Sequence, residues 1–213
     1  MKNKSTYSNI LAQNSTGCLA LIDPDVKNDN ILDSMISSIN QHDFLAVLVG
    51  GSSISDNHYE ERVSKIKNKI NKPLILFPGS SSQVTGDIKS MLYLNLISGR
   101  NPKFLIDEQV RGAMQINNYE IDTIPTGYIL LDGGSVTMVQ KASNTMPLNM
   151  NDKESVLKHA LAAQYMGNKI IYFDCGSGSK STMCADLIKY VSDFITIPIM
   201  VGGGILTNMD IDK

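Results

Sequence analysis

The sequence lacks several features that would assign it to particular classes of protein. It has no tryptophan and only 6% aromatic residues, which argues against a surface that stacks on carbohydrate or RNA bases. Its 19 lysine and arginine residues nearly balance 21 aspartate and glutamate residues, giving a net charge of −2. The lysines are scattered rather than clustered, so the sequence predicts no nucleic-acid partner.

Long apolar runs and paired cysteines are also missing. No stretch approaches the roughly 18 apolar residues of a membrane span, and the segment 1–17 lacks the apolar core of a signal peptide. Cys18, Cys175 and Cys184 form no Cys-x-x-Cys pair, and their odd number favours free thiols in a reducing compartment. We therefore expect a cytoplasmic protein that would meet a lipid substrate through peripheral contact with a membrane.

The sequence does contain seven short apolar runs, most of them continuous rather than alternating. Continuous runs are typical of strands that are buried on both faces of a parallel sheet. Each run is followed by a turn rich in glycine, proline, serine or aspartate. The runs are Cys18–Ile22, Phe44–Val49, Leu74–Phe77, Met91–Leu96, Ile124–Leu131, Lys169–Phe173 and Ile199–Val201.

Segments with helical spacing separate most of these runs, for example Asn30–Ile39 and Ser155–Met166. Alternating strands and helices predict βα units and a parallel sheet. We expect a single domain over residues 1–213 that forms a (βα)8 TIM barrel. An open, doubly wound sheet is the alternative. The barrel is favoured because polar and glycine residues follow every strand, and a barrel gathers all these strand ends at one mouth.

Three segments depart from an ideal barrel. The polar segment 79–90 is too short for a full helix, which predicts a loop or short segment in place of helix 3. The segment 132–151 is a longer insertion, in which Thr137–Lys141 could form a short hairpin strand. The sequence stops at Asp210-Ile211-Asp212-Lys213, where a seventh helix should begin. We therefore expect the C-terminal βα unit to be missing.

Two glycine-rich turns, Gly176-Ser177-Gly178 and Gly202-Gly203-Gly204, follow the last two apolar runs. Turns without side chains let backbone N–H groups approach a phosphate, and barrels often bind phosphate at the loops after their last strands. Glycines that merely permit tight turns are the alternative. The occurrence of two such turns favours a phosphate site, to which the Ser177 hydroxyl would contribute.

Carboxylates stand at two of the predicted strand ends. Asp23 and Asp25 follow the first strand and Ser52 follows the second; carboxylate and hydroxyl oxygens suit Mg²⁺, although helix capping or a proline turn also explains the aspartates. Asp174 directly precedes the first glycine turn, where it could accept a proton from a substrate hydroxyl or cap a helix.

A cysteine nucleophile is not expected. Cys175 lies beside Asp174, but no histidine is near it in the sequence, and a nucleophilic thiol needs an adjacent base or a lowered pKa. His42, His58 and His159 fall in predicted helices or loops away from the strand ends.

Taken in order, the motifs resemble those of the geranylgeranylglyceryl phosphate synthases and the related heptaprenylglyceryl phosphate synthases. Any one motif is weak, whereas seven in order, covering residues 8–207, are specific. They are Leu21-Ile22-Asp23-Pro24-Asp25, Val49-Gly50-Gly51-Ser52, Leu76-Phe77-Pro78-Gly79, Asn95-Leu96-Ile97-Ser98-Gly99-Arg100-Asn101-Pro102, Ile124-Pro125-Thr126-Gly127-Tyr128, Tyr172-Phe173-Asp174-Cys175-Gly176-Ser177-Gly178 and Val201-Gly202-Gly203-Gly204-Ile205.

The resemblance implies a modified (βα)8 barrel with its third helix replaced. It implies a prenyltransferase that forms an ether bond between sn-glycerol 1-phosphate and a long-chain prenyl diphosphate of the geranylgeranyl type, releasing pyrophosphate. Asp23 and Ser52 would hold Mg²⁺, Asp174 would be the catalytic residue, and we expect a homo-oligomer. The implied substrate-binding residues are Tyr172, Phe173, Asp174, Cys175, Gly176, Ser177, Gly178, Gly203 and Gly204.

This sequence departs from the family pattern in places. Asp174 stands where glutamate is usual and is one methylene shorter, Cys175 stands where alanine is usual, and the phosphate loop after strand eight is absent.

Tyr128, Leu96 and Ile97 are candidates for the wall of an apolar groove that would hold the prenyl chain. The alternative functions are a phosphate-binding isomerase of small-metabolite biosynthesis and a barrel that binds ligand without turnover.

Overall fold

The computed structural model describes residues 6–11, 16–52 and 55–205. Its strands are β1 Leu19–Ile22, β2 Ala46–Val49, β3 Leu74–Leu76, β4 Ser90–Leu96, β5 Asp122–Leu130, β6 Ile170–Asp174 and β7 Ile199–Gly202. Each strand begins and ends within two residues of a predicted run, so the seven predicted strands are confirmed. They pair in chain order, and the pairs from β1 to β4 and from β5 to β7 are parallel.

Helical segments connect most of the strands. The α-helices are α1 Thr6–Leu11, α2 Leu32–Gln41, α3 Tyr59–Lys69, α4 Glu108–Asn118, α5 Met138–Ser143, α6 Lys153–Tyr165 and α7 Ala185–Ser192. A π-helical turn, Lys103–Asp107, precedes α4, and a 3-10 turn, Val26–Asn28, follows β1. The connection from β3 to β4 contains a 3-10 turn, Ser81–Gln83. Within the described ranges, no helix has both the length and the apolar character needed to span a bilayer.

The chain divides into two compact units, and Unit 1 comprises Met1–Leu92 and Arg111–Ile124. Ile22 of β1 lies opposite Val49 of β2, so the loops after these two strands start at the same level. β2 is buried along its whole length, as its continuous apolar sequence predicts. α2 and α3 bury apolar side chains at helical spacing. Those fully or nearly fully buried are Leu32, Ile36, Ile39, Val63 and Ile66.

Unit 2 comprises Tyr93–Val110 and Pro125–Lys213. β6 lies between β5 and β7, with Asp174 opposite both Leu130 and Gly202. This register brings the two glycine turns to the ends of adjacent strands, with Asp174 at the head of the first. α6 and α7 pack against these strands. Their shared core includes Ile129, Ile171, Phe173, Val156, Ala160 and Leu187.

The hairpin strand predicted at Thr137–Lys141 is wrong, because the segment forms α5. The Thr137 hydroxyl accepts a hydrogen bond from the Gln140 N–H at 3.1 Å and so caps the helix. Asn144 ends it in the left-handed conformation with φ 51°, which asparagine tolerates better than most residues. The caps at both ends thus define a short helix where the sequence predicted a strand.

Two predictions about the extent of the fold remain predictions. The single domain expected over residues 1–213 is not tested by the division into units. The expectation of a missing last βα unit concerns the end of the sequence, where residues 206–213 lie outside the described residues.

Candidate functional site

The two glycine turns of Unit 2 lie against each other. The α-carbon of Gly203 faces the backbone of Gly176, so that an added Cβ would lie 2.5 Å from the Gly176 nitrogen. Both residues have positive φ, 86° at Gly176 and 81° at Gly203. Residues that carry a Cβ rarely adopt this backbone conformation. Close approach and backbone conformation therefore both require glycine, beyond what an ordinary tight turn needs.

Backbone donors of these turns are available to an anion. Among the described residues, the N–H groups of Ser177, Gly178, Gly203 and Gly204 have no protein acceptor. Ser177 and Gly178 are exposed, and an added Cβ at Gly178 would meet no atom within 4 Å. Successive backbone N–H groups in such turns form concave anion sites, so this surface fits the phosphate that the sequence predicts.

Asp174 is buried at the base of the first turn, where it is only 6% exposed. Its Oδ1 accepts a hydrogen bond from the Gly176 N–H at 2.7 Å, and its Oδ2 accepts one from the Tyr128 hydroxyl. Burial raises the pKa of Asp174, while hydrogen bonds from Tyr128, Gly176 and Tyr172 oppose the rise. The carboxyl group is thus held in place by donors and has no ammonium or guanidinium partner within the described part of the chain.

Tyr128 and Tyr172 flank this carboxylate from neighbouring strands. They are opposite each other in the β5–β6 register, and their ring centroids are 5.0 Å apart. Burial raises the pKa of both hydroxyls well above the ordinary value, so both stay protonated as donors. Sequence reasoning placed Tyr128 in a groove wall and missed this contact with Asp174, which only the strand register reveals.

Two of the predicted substrate-binding residues have side chains in the core of Unit 2. Phe173 and Cys175 are both 0% exposed, so any contact that they make with a ligand would be through their backbones. Burial raises the pKa of the Cys175 thiol to about 12, which keeps it protonated at neutral pH. This agrees with the expectation that Cys175 is not a nucleophile.

The three residues predicted to line the apolar groove have different surroundings in the structure. Leu96 is buried and Tyr128 contacts Asp174, whereas Ile97 lines a cavity of about 420 Å³. His159, which seemed remote from any strand end, also lines this cavity, because α6 packs beside the end of β4. The other lining residues are Asn95, Gly99, Arg100, Leu105, Lys158, Ala162 and Met166.

In Unit 1, Asp23 lies directly over the loop that follows β2. An added Cβ at Gly51 would overlap its Oδ1, so a glycine there is what admits the carboxylate. Its Oδ2 accepts a hydrogen bond from Lys27 Nζ at 2.7 Å, and the side chain remains 25% exposed. Asp23 therefore presents a partly exposed carboxylate beside the residue that precedes Ser52.

Asp25, by contrast, has a structural role. Its Oδ1 accepts a hydrogen bond from the Lys27 N–H at 3.1 Å and caps the 3-10 turn, and its Oδ2 accepts one from Ser55 Oγ at 2.5 Å. The hydrogen bond from Ser55 lowers the pKa of Asp25. Of the two aspartates after β1, the capping interpretation thus holds for Asp25 and leaves Asp23 as the candidate ligand.

Gln83 is a residue of this region that sequence reasoning missed. Its side chain is 1% exposed. Its Nε2 donates to the Gly51 oxygen at 2.8 Å, and its Oε1 accepts from the Gly79 N–H at 3.0 Å. A lone glutamine in a serine-rich segment gives no sequence signal, yet it fixes the loop that carries Ser52.

The donor types in Unit 1 fit a magnesium ion. Asp23 offers carboxylate oxygen, and Ser52 is exposed and offers a hydroxyl. No group of three or more histidine, cysteine, aspartate or glutamate residues forms a metal cluster within the described residues. Mg²⁺ does not need one, because it usually keeps several waters and binds one or two carboxylates together with substrate phosphates.

Comparison with known proteins identifies the family of this chain. The sequence matches the model of the PcrB family over residues 10–211. The chain belongs to the PcrB family. A geranylgeranylglyceryl phosphate synthase of Flavobacterium johnsoniae is 37% identical over 193 residues, which are 91% of this chain and 79% of that protein.

Two solved structures are similar to this PcrB-family chain. The wild-type GGGPS from Thermoplasma volcanium has a TM-score of 0.83 and 31% identity, covering 92% of this chain and 79% of that one. The crystal structure of (S)-3-O-geranylgeranylglyceryl phosphate synthase from Thermoplasma acidophilum in complex with substrate sn-glycerol-1-phosphate has a TM-score of 0.87 and 27% identity, covering 95% and 82%. The family predicted from the ordered motifs is confirmed, and the fold is of the α/β barrel class.

Proposed function

We propose that this PcrB-family chain is a prenyltransferase that joins sn-glycerol 1-phosphate to a long-chain prenyl diphosphate of the geranylgeranyl type. The product is an ether, and pyrophosphate is released. The observation that carries the proposal is the buried Asp174 beside two glycine turns whose N–H groups have no acceptor among the described residues. A phosphate site next to a carboxylate with a raised pKa suits a substrate that has both a phosphate and a reacting hydroxyl.

Glycerol phosphate binds in Unit 2. The phosphate accepts hydrogen bonds from the N–H groups of Gly178, Gly203 and Gly204 and from the Ser177 hydroxyl. Asp174 accepts the proton of the free primary hydroxyl. The hydroxyl oxygen forms a bond to C1 of the prenyl chain as the bond from C1 to the diphosphate breaks. Tyr128 keeps the carboxylate oriented for this transfer.

Unit 1 holds the metal in this proposal. Asp23 and Ser52 are the ligands, and Gly51 and Gly79 leave room around them because neither carries a side chain. When bound, Mg²⁺ supplies positive charge that stabilises a departing diphosphate. Lys27 contacts the same carboxylate and contributes a further positive charge to this part of Unit 1.

Several finer features belong to the same proposal. The 3-10 turn Ser81–Gln83 stands in the place of the third barrel helix. A cytoplasmic location is inferred from the free thiols of Cys18, Cys175 and Cys184. A homo-oligomer is proposed from the resemblance alone.

Product analysis tests the proposal. Purified protein is incubated with Mg²⁺, sn-glycerol 1-phosphate and a panel of prenyl diphosphates of increasing length, with sn-glycerol 3-phosphate as the matched control. We expect a prenyl ether of sn-glycerol 1-phosphate, identified by mass, and a requirement for the divalent ion. Phosphate binding without any ether product would support a barrel that binds ligand without turnover.

A further inference from the structure

Arg62 of α3 bridges the two loops of Unit 1 that carry Asp23 and Ser52. Its side chain is only 8% exposed. Nε and Nη2 donate to the carboxylate of Asp29 at 2.5 and 2.8 Å. Nη1 and Nη2 donate to the carboxylate of Asp56 at 2.7 and 2.8 Å. Asp29 belongs to the segment after β1, and Asp56 to the segment after β2, so one guanidinium group holds both.

A second bridge joins the same two segments. Ser55 Oγ donates to Asp25 Oδ2 at 2.5 Å, and Asp25 is 4% exposed. Asp56 also accepts a hydrogen bond from the His58 N–H at 3.1 Å, just before the first residue of α3. Asp25 and Asp29 of the segment after β1 are therefore bonded to Ser55 and, through Arg62, to Asp56, close to the start of α3.

Stability alone is a weak reason for this arrangement. Removing a guanidinium group from water is costly, and apolar residues of similar volume often stabilise a fold at least as well. The planar fork does something that apolar packing cannot, since it sets the direction of each bonded carboxylate. The hydrogen bond from Arg62 also lowers the pKa of Asp56 to about 2, so the bridge stays fully charged at neutral pH.

We propose that Arg62 is a positioning residue for the proposed metal and diphosphate site of Unit 1. By holding Asp29 and Asp56, it fixes the two loops so that Asp23 and Ser52 keep the arrangement that binds a divalent ion with a diphosphate. This inference rests on the proposed function. The proposed role predicts a defect confined to the binding of the divalent ion and the diphosphate. A general loss of stability does not produce such a confined defect.

The test compares Arg62→Lys and Asp56→Asn with the wild-type protein. Arg62→Lys keeps the charge but loses the fork, and Asp56→Asn removes one arm of the bridge. Asp33→Asn is the matched control, because Asp33 pairs with Lys65 and Lys69 of the same helix α3 but lies outside both loops. Asp23→Asn is the reference for loss of the proposed ligand.

Two quantities are measured for each variant. One is the Kd of Mn²⁺, followed by its paramagnetic resonance in the presence of inorganic pyrophosphate. The other is the pair of KM values for prenyl diphosphate and for sn-glycerol 1-phosphate. We expect Arg62→Lys and Asp56→Asn to weaken Mn²⁺ binding and raise the KM for prenyl diphosphate by about tenfold. The KM for glycerol phosphate should stay at its wild-type value, and Asp33→Asn should match the wild type throughout.

The outcomes distinguish a failure of the positioning role from a failure of the proposed metal site. If Asp23→Asn loses Mn²⁺ while Arg62→Lys and Asp56→Asn retain wild-type binding, the positioning role is overturned and the proposed function stands. A rise in both KM values together would overturn the positioning role, because the defect would then not be confined to the metal and diphosphate site. If Asp23→Asn itself binds Mn²⁺ normally, the metal assignment fails, and the role of Arg62 fails with it.

Discussion

In Unit 1, Asp29 and Asp56 are paired with the guanidinium group of Arg62, whereas Asp174 in Unit 2 is buried among hydroxyl and amide donors. The hydrogen bond from Arg62 lowers the pKa of Asp56 to about 2, and burial raises the pKa of Asp174. The surroundings of Asp56 and Asp174 therefore shift the pKa values of these two aspartates in opposite directions.

This difference assigns different chemistry to the two units. A carboxylate beside a cation keeps its charge at every ordinary pH, which suits a scaffold or a metal ligand. A buried carboxylate with a raised pKa and no cationic partner is better suited to accept and release a proton. The following variants test this contrast.

The largest effect is expected for Asp174→Asn, which keeps the size of the side chain and removes the base. We expect kcat to fall by about a thousandfold, within the range of general-base contributions, while thermal unfolding stays close to wild type. Steady-state kinetics with sn-glycerol 1-phosphate measures the change. Asp193→Asn, at an exposed carboxylate of Unit 2, is the control, and near-normal turnover of Asp174→Asn would refute its role.

Removal of the proposed metal ligand should have the next largest effect. Asp23→Ala deletes the carboxylate over Gly51, and we expect kcat/KM for prenyl diphosphate to fall by about a hundredfold. The dissociation constant for sn-glycerol 1-phosphate, measured by calorimetry, should not change, because the proposed site for that substrate is in Unit 2. Asp87→Ala, which breaks a surface pair with Lys67, serves as the control. Unchanged kcat/KM in Asp23→Ala would contradict the assignment.

Gly203→Ala tests the phosphate turns of Unit 2. The added methyl would lie 2.5 Å from the Gly176 nitrogen, so the turns must separate, and we expect about a tenfold weaker Kd for sn-glycerol 1-phosphate. Gly167→Ala is a matched control, because Gly167 also has positive φ, 88°, yet an added Cβ there meets nothing within 4 Å. Equal losses of affinity in both variants would point to backbone strain rather than to a phosphate site.

Tyr128→Phe should alter the pH dependence rather than abolish activity. In the proposed mechanism Asp174 must be ionised, so kcat/KM should fall as the pH drops through the pKa of this group, which burial raises. Removing the Tyr128 hydroxyl removes a donor that lowers the pKa, and the acid limb of the pH profile should therefore move to higher pH. Tyr93→Phe, which loses a hydrogen bond to the Gln109 oxygen, should leave the limb in place. A shift to lower pH would contradict the account.

The smallest effect concerns thiol reactivity. At pH 8, iodoacetamide should label the exposed Cys184 and spare Cys175, which is 0% exposed and whose pKa is raised to about 12 by burial. Peptide mass mapping of the native protein measures the labelling. Rapid labelling of Cys175 would show that the end of β6 is far more open than the packing of Unit 2 indicates.

Much of the fold was predictable from the sequence, because continuous apolar runs and the turns after them carry strong local signals. The seven strands and the positions of both glycine turns follow from such patterns. The helix at Met138–Ser143 was not recognised, since a single capping threonine decided between two weak alternatives.

The candidate site was less accessible to sequence reasoning. Asp174 and Asp23 stand in ordered motifs, but their partners depend on contacts between distant segments. Tyr128 reaches Asp174 through strand register, Gln83 reaches Gly51 across 32 positions, and Arg62 reaches Asp29 across 33. No local pattern encodes these contacts, so the environments that shift the pKa values could not be predicted.

The most direct test of the proposed function uses sn-glycerol 1-phosphate labelled with ¹⁸O at its free primary hydroxyl. The protein is incubated with the labelled substrate, Mg²⁺ and geranylgeranyl diphosphate, and both products are analysed by mass. We expect the label to appear in the ether oxygen and the released pyrophosphate to be unlabelled. Label in the pyrophosphate, or no ether product from folded protein, would contradict it.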